Sequence, residues 1–131
     1  MAWICLGLVA VGCSRSGSGA DGSGLDFVTH VDAAGAAERI KEGQVIVLDV
    51  RTPKEFANGH LAEAKLIDFQ SADFAKKLGE LDRSKTYLVH CAVGGRSAQS
   101  LATFQKLGFK DVVHLDGGFR AWQKAGKPIE K

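Results

Sequence analysis

The chain has 131 residues, enough for one domain with a single modest core. Its formal net charge of +2 comes from interspersed Lys/Arg and Asp/Glu, with no basic cluster interleaved with aromatics, so nucleic-acid binding is not indicated. Three cysteines without a Cys-x-x-Cys pair, no Cys/His grouping at zinc spacing and no carboxylate cluster argue against a metal site, and no cofactor is expected.

The longest apolar stretch is Ala2 to Gly12, too short to span a bilayer but suited to the core of a secretory signal. Ala10-Val11-Gly12-Cys13 sets small residues before a cysteine, and Ser14 to Gly24 is rich in Ser and Gly. Together they resemble the lipobox and tether of a bacterial lipoprotein, although Ala10 stands where leucine is usual and no Lys or Arg precedes the apolar run. The resemblance implies a signal peptide over residues 1–12, acylation of Cys13, a flexible linker to residue 24 and a globular domain over 25–131. It also implies a periplasmic protein held at the membrane only through lipid, and Ser14 resembles the outer-membrane class. Simple cleavage without lipid is the alternative. Cys5 would be lost with the signal and Cys13 acylated, leaving Cys91 as the free thiol.

Phe27-Val28 reads as a short strand. Asp32 can cap a helix from Ala33 to about Lys41, which Gly43 ends. Val45 to Val50 is nearly all apolar, as a central parallel strand buried on both faces should be. Thr52-Pro53-Lys54-Glu55 is a capping box with Pro at the first helical position, and Gly59 stops that helix. Ala64 to Ile67 suggests a further short strand, and Ser71 a cap for a helix through about Leu78. Thr86 to His90 is the next strand. Ser97 to Leu107 carries apolar residues at helical spacing and ends at Gly108. Val112 to Leu115 is a last strand. Gly117-Gly118 turns into a short helix over Phe119 to Lys124, and Pro128 precedes a plain tail. Strands alternating with helices predict an α/β fold with a mainly parallel sheet.

The segment His90-Cys91-Ala92-Val93-Gly94-Gly95-Arg96-Ser97 carries the chemistry. It places a thiol at a strand-to-helix turn, at the positive end of a helix among unpaired amides. Such surroundings favour thiolate and make a nucleophile. Gly94 and Gly95 allow the loop to curl with its amides inward, and Arg96 adds a fixed charge for an anion, or a partner for a carboxylate. His90 should point away from Cys91 by strand alternation. Asp49 and Arg51 end a different central strand, which in a parallel sheet puts them on the same edge as Cys91. They read first as a structural polar network, with Arg51 at the site rim second. Phe119 and Trp122 read as core, His60 as a folding feature, and His114 has no assigned role.

Three segments in register resemble the rhodanese family. They are Leu48-Asp49-Val50-Arg51-Thr52-Pro53-Lys54-Glu55-Phe56 with Gly59-His60, the Cys-x-x-Gly-x-Arg loop from Cys91 to Arg96, and Leu115-Asp116-Gly117-Gly118-Phe119-Arg120-Ala121-Trp122. The resemblance implies a rhodanese-like fold: a five-stranded parallel sheet with helices on both faces. It also implies a sulfurtransferase whose nucleophile, Cys91, takes sulfur from a small anion such as thiosulfate and passes it to a thiol or cyanide. Ala92, Val93, Gly94, Gly95 and Arg96 would bind the donor. A persulfide carrier or partner-docking module is the alternative. Related phosphatases and arsenate reductases have a loop one residue longer. Only four residues separate Cys91 from Arg96, a smaller ring that favours sulfur.

Overall fold

The computed structural model describes residues 25–131. The expected signal over residues 1–12, the acylation site Cys13 and the linker to residue 24 lie outside the described residues. Among the described residues, no helix is long and apolar enough to cross a membrane.

Strands and helices alternate throughout: β1 (Val28–Val31), α1 (Ala33–Lys41), β2 (Ile46–Asp49), α2 (Pro53–Ala57), β3 (Lys65–Leu66), α3 (Phe74–Gly79), β4 (Tyr87–His90), α4 (Gly95–Leu107), β5 (Val112–Leu115) and α5 (Gly118–Lys124). The five strands form one parallel sheet in the order β1-β5-β4-β2-β3, as the alternating pattern predicts. The apolar runs take the central places, with β4 and β5 buried along their whole length. The more polar β1 and the two-residue β3 take the edges.

Two cores cover the two faces. On one, Phe74 and Leu78 of α3 and Leu101 and Phe104 of α4 pack on Leu48, Tyr87 and Val89. On the other, Ala33 and Ala36 of α1 and Phe119 and Trp122 of α5 pack on Val47, Leu88 and Val113. Burying each large apolar side chain contributes about 1.5–3 kcal/mol. The alternation of β4 sends Cys91 to the first face with Val89, and His90 to the second, beneath Phe119.

Three local expectations change. Helix α3 starts at Phe74 with Asp73 as an N-cap that makes no side-chain bond. Ser71 instead spends its hydroxyl on the Asp73 N–H, 3.3 Å away, a local turn that competes with capping. Helix α4 starts at Gly95, so Ser97 lies inside its first turn and is fully buried. The tail after Pro128 is bonded rather than plain. Glu130 exchanges backbone hydrogen bonds of 2.7 and 2.8 Å with His60, and the Trp122 indole donates to the Pro128 carbonyl at 2.9 Å.

From β4 the chain moves to β5, and from β2 it moves to β3, in opposite directions along the sheet. The switch point of the sheet therefore lies at the C-terminal ends of β2 and β4, the edge at which ligands of such sheets bind.

Candidate active site

Cys91 follows β4 directly, and the turn Ala92–Gly94 leads into the 13-residue α4. Gly94 caps that helix at φ 106°, a conformation that side-chain-bearing residues resist. There its N–H donates to the Cys91 Sγ at 3.1 Å. The loop is also held from behind. The Phe119 N–H donates to the Cys91 carbonyl at 2.8 Å, and the Arg120 N–H to the Ala92 carbonyl at 3.0 Å. With those carbonyls turned toward α5, planar trans peptides turn the Ala92 and Val93 N–H groups away from it.

The thiol is buried among apolar neighbours, with Cys91 1% exposed. Burial pushes its pKa up. The Ser97 hydroxyl, together with the amides of Ser97, Gly94 and Val93, outweighs that and holds it below the ordinary value. His90 takes no part from its own face. Burial pushes its pKa down despite Asp49, so its ring is neutral and donates from Nδ1 to the Cys91 carbonyl, 3.1 Å away. Its Nε2 has no hydrogen-bond partner and lies 3.7 Å from Asp49.

Arg96 projects from α4 to α2. Its Nη1 and Nη2 donate to the two carboxylate oxygens of Glu55 at 2.7 and 2.9 Å. Of the two roles open to Arg96, the side chain adopts carboxylate pairing. Glu55 at once completes the capping box of Thr52. The Arg96 hydrogen bond, partly opposed by burial, brings the Glu55 pKa from 4.5 to about 2. A depressed carboxylate adds stability above its unfolded pKa, and that stability fades as pH falls from about 4.5 toward about 2. The Glu55 side chain is 34% exposed, so screening holds the pair to at most about 1 kcal/mol. Glu55→Gln should thus cost little stability and flatten the acid side of the stability–pH curve, read by chemical denaturation at several pH values. It also removes the carboxylate that answers Arg96, and alkylation of Cys91 by the anion iodoacetate should quicken several-fold at low ionic strength and converge on wild type in high salt. Salt-independent, unchanged alkylation would show that Arg96 does not act on an anion at Cys91.

Asp49 and Arg51 lie under the site. Arg51 is 3% exposed, donates from Nε to both Asp49 oxygens at 3.0 Å, and reaches Asp49 and the Gly59 carbonyl from Nη2 at 2.7 Å. Its guanidinium stacks 4.1 Å from the Phe119 ring centre. The structure therefore puts Arg51 in the buried polar network and not at the rim, because its fork is turned inward onto Asp49. His60 stacks on Phe56 at 3.9 Å, in keeping with a folding role.

The structure adds residues that the sequence did not mark. The Ser97 Oγ lies 3.4 Å from Cys91 Sγ and 2.8 Å from His114 Nε2. His114 Nδ1 meets Asp116 Oδ1 at 2.6 Å, and His30 Nδ1 meets the same oxygen at 2.8 Å. His114 is paired in register with Val89 of β4 and His30 of β1. The signal was a lone polar residue in the apolar run Val112–Leu115, on a strand beside the one that leads to Cys91. Reading it required knowing that β5 is that neighbour. Donor atoms of His30, His114 and Asp116 lie within 4.8 Å of one another, a closeness their hydrogen bonds account for. His30, Val93, Gly94, His114 and Asp116 line an open cleft of about 570 Å³ beside the loop.

A family model described as "Rhodanese-like domain" matches residues 32–125. The "Probable adenylyltransferase/sulfurtransferase MoeZ" of Mycobacterium tuberculosis is 38% identical over 85 residues, 65% of this chain but only 22% of that protein's length. The "Thiosulfate sulfurtransferase GlpE" of Pseudomonas aeruginosa is 38% identical over 88 residues, covering 66% of this chain and 77% of that one. Among solved structures, a rhodanese-related protein from Thermoplasma volcanium superposes with a TM-score of 0.69 at 35% identity, covering 77% of this chain and 96% of that one.

Proposed function

Since this chain belongs to the rhodanese-like domain family, we propose that it is a sulfurtransferase using thiosulfate or a similar sulfane-sulfur anion. The observation that carries the reading is the Cys91 thiol, held low by the Gly94 amide and the Ser97 hydroxyl at the N-terminus of α4. The Cys91 thiolate attacks the outer sulfur of thiosulfate. A new S–S bond forms, the old one breaks, and sulfite leaves with the bonding pair. The product is a Cys91 persulfide anion. Cyanide or a thiolate then takes the outer sulfur and the Cys91 thiolate returns. Both steps conserve charge and need no obligatory proton transfer, so kinetics should be ping-pong.

The dianionic donor needs positive potential at the thiolate. The α4 N-terminus and the amides of Ala92 to Arg96 supply it, with Arg96 acting at longer range because its fork is engaged by Glu55. That engagement, with the four-residue spacing from Cys91 to Arg96, disfavours phosphate or arsenate, whose tetrahedral oxygens call for a free guanidinium. We further propose that the domain stands in a bacterial periplasm on a lipid attached at Cys13. The apolar run and the small residues before that cysteine support this reading.

The test is intact-mass measurement after incubation with thiosulfate and desalting. The protein should gain the mass of one sulfur atom, peptide mapping should put it on Cys91, and cyanide should release it as thiocyanate. Loading only from a protein persulfide, with poor release to cyanide, would replace the enzyme by a carrier. Hydrolysis of an aryl phosphate without sulfur uptake would overturn the reading.

A further inference from the structure

We propose that His114 is a positioning residue for the nucleophile: it receives the Cys91 proton through Ser97, so that thiolate and imidazolium form together. The inference deepens the sulfurtransferase reading and rests on it.

Hydrogen accounting leads to it. The Asp116 carboxylate only accepts, so the 2.6 Å contact with His114 is donated by Nδ1–H. A neutral His114 then has a lone pair on Nε2, and the Ser97 hydroxyl, 2.8 Å away, donates to it. Ser97 has a single proton. Of its three neighbours, His114 Nε2, the Gly94 carbonyl at 3.2 Å and Cys91 Sγ at 3.4 Å, the nearest takes that proton, which leaves the Ser97 oxygen to accept from the thiol S–H. Moving each proton one step along this line yields thiolate, a Ser97 hydroxyl now donating to sulfur, and a His114 imidazolium. One proton leaves Sγ and one arrives on Nε2. Ser97 ends as it began, no electron is transferred, and the two contacts of Ser97 survive with their directions reversed, while Nδ1–H goes on donating to Asp116.

The surroundings favour this route. Cys91, Ser97 and His114 are 1%, 0% and 3% exposed. The Asp116 side chain, at the far end, is 55% exposed and borders the cleft. The contacts thus lead from a buried thiol to solvent. The charged groups around them leave a vacancy for a cation. From α4, Arg96 is engaged by Glu55 of α2. Arg51 is closed on Asp49. His90 is neutral on the opposite face of β4. From β1, His30 bonds Asp116 rather than the sulfur. Protonated His114 is the cation that these arrangements leave to the thiolate, with Asp116 behind it. Burial holds the His114 pKa below the ordinary imidazole value, and Asp116 offsets part of that, so it is the contacts themselves that carry the relay.

Two titrations test the coupling. Thiolate ultraviolet absorbance against pH should show a higher midpoint for Cys91 in His114→Gln, with alkylation at neutral pH slowed about tenfold. Imidazole NMR should show the reciprocal change: the His114 midpoint falls in Cys91→Ala, because a coupled pair shares its titration. Ser97→Ala should uncouple both. Cys91 curves that coincide in wild type and His114→Gln, with His114 unmoved by Cys91→Ala, would overturn the proposal. If His114→Gln does not fold, the Cys91→Ala measurement leaves the ring in place and decides alone. Sulfur loading is read separately. Loading with uncoupled titrations removes the relay and keeps the sulfurtransferase; coupled titrations without loading do the opposite.

Discussion

Cys91→Ser should leave a folded protein that takes up no sulfur. The hydroxyl is nearly isosteric with the thiol and fits the same buried place, where the Gly94 N–H and the Ser97 Oγ already meet the side chain. The stability change should stay near 1 kcal/mol or below, within the ordinary range for a conservative buried change. The chemistry does not survive. A serine hydroxyl remains protonated where a thiol ionises, and the persulfide bond has no oxygen counterpart that a thiophilic acceptor could relieve. Intact mass after thiosulfate should show no increment, thiocyanate formation should fall to background, and the thermal midpoint should lie within a few degrees of wild type. Residual loading would mean that another group accepts sulfur and that the loop is not its site.

Gly118→Ala should destabilise the protein by more than about 4 kcal/mol, the range reserved for backbone collisions and broken buried networks. Gly118 has φ +60°, and a Cβ there would run into the backbone of the loop after β4, the Cys91 carbonyl oxygen foremost and then the carbonyl of Ala92. No flexible side chain can yield. Relief requires α5 to withdraw, and with it the Phe119 and Arg120 hydrogen bonds to those carbonyls. Each buried carbonyl left without a donor costs about 1–3 kcal/mol. Thermal unfolding should drop by about 15 °C or more, at roughly 4 °C per kcal/mol. Gly95→Ala is the matched control, since a Cβ there meets nothing within 4 Å. Equal midpoints for the two variants would show that α5 does not hold the loop.

The sheet was legible because its signals are local. The apolar runs at Val45 to Val50, Thr86 to His90 and Val112 to Leu115 became the three inner strands, and the Thr52–Glu55 capping box formed as the spacing requires. The cysteine at a strand-to-helix turn was legible for the same reason. What stayed hidden depends on pairs distant in sequence. Glu55 and Arg96 meet across 41 positions, so the arginine's carboxylate partner could not be named from the loop alone. His114 and Ser97 meet only because β5 lies beside β4. The tail after Pro128 carries no pattern of its own; its order comes from His60, which holds Glu130 from a distant loop. Ser71 misled for a local reason, since one hydroxyl could serve a turn or a helix and served the turn.

The grip of α5 on the loop has a consequence for biosynthesis. The amides of Phe119 and Arg120 that brace the Cys91 and Ala92 carbonyls leave the ribosome well after the loop itself, so the loop gains its full support only once the C-terminal part of the domain has been made and docked.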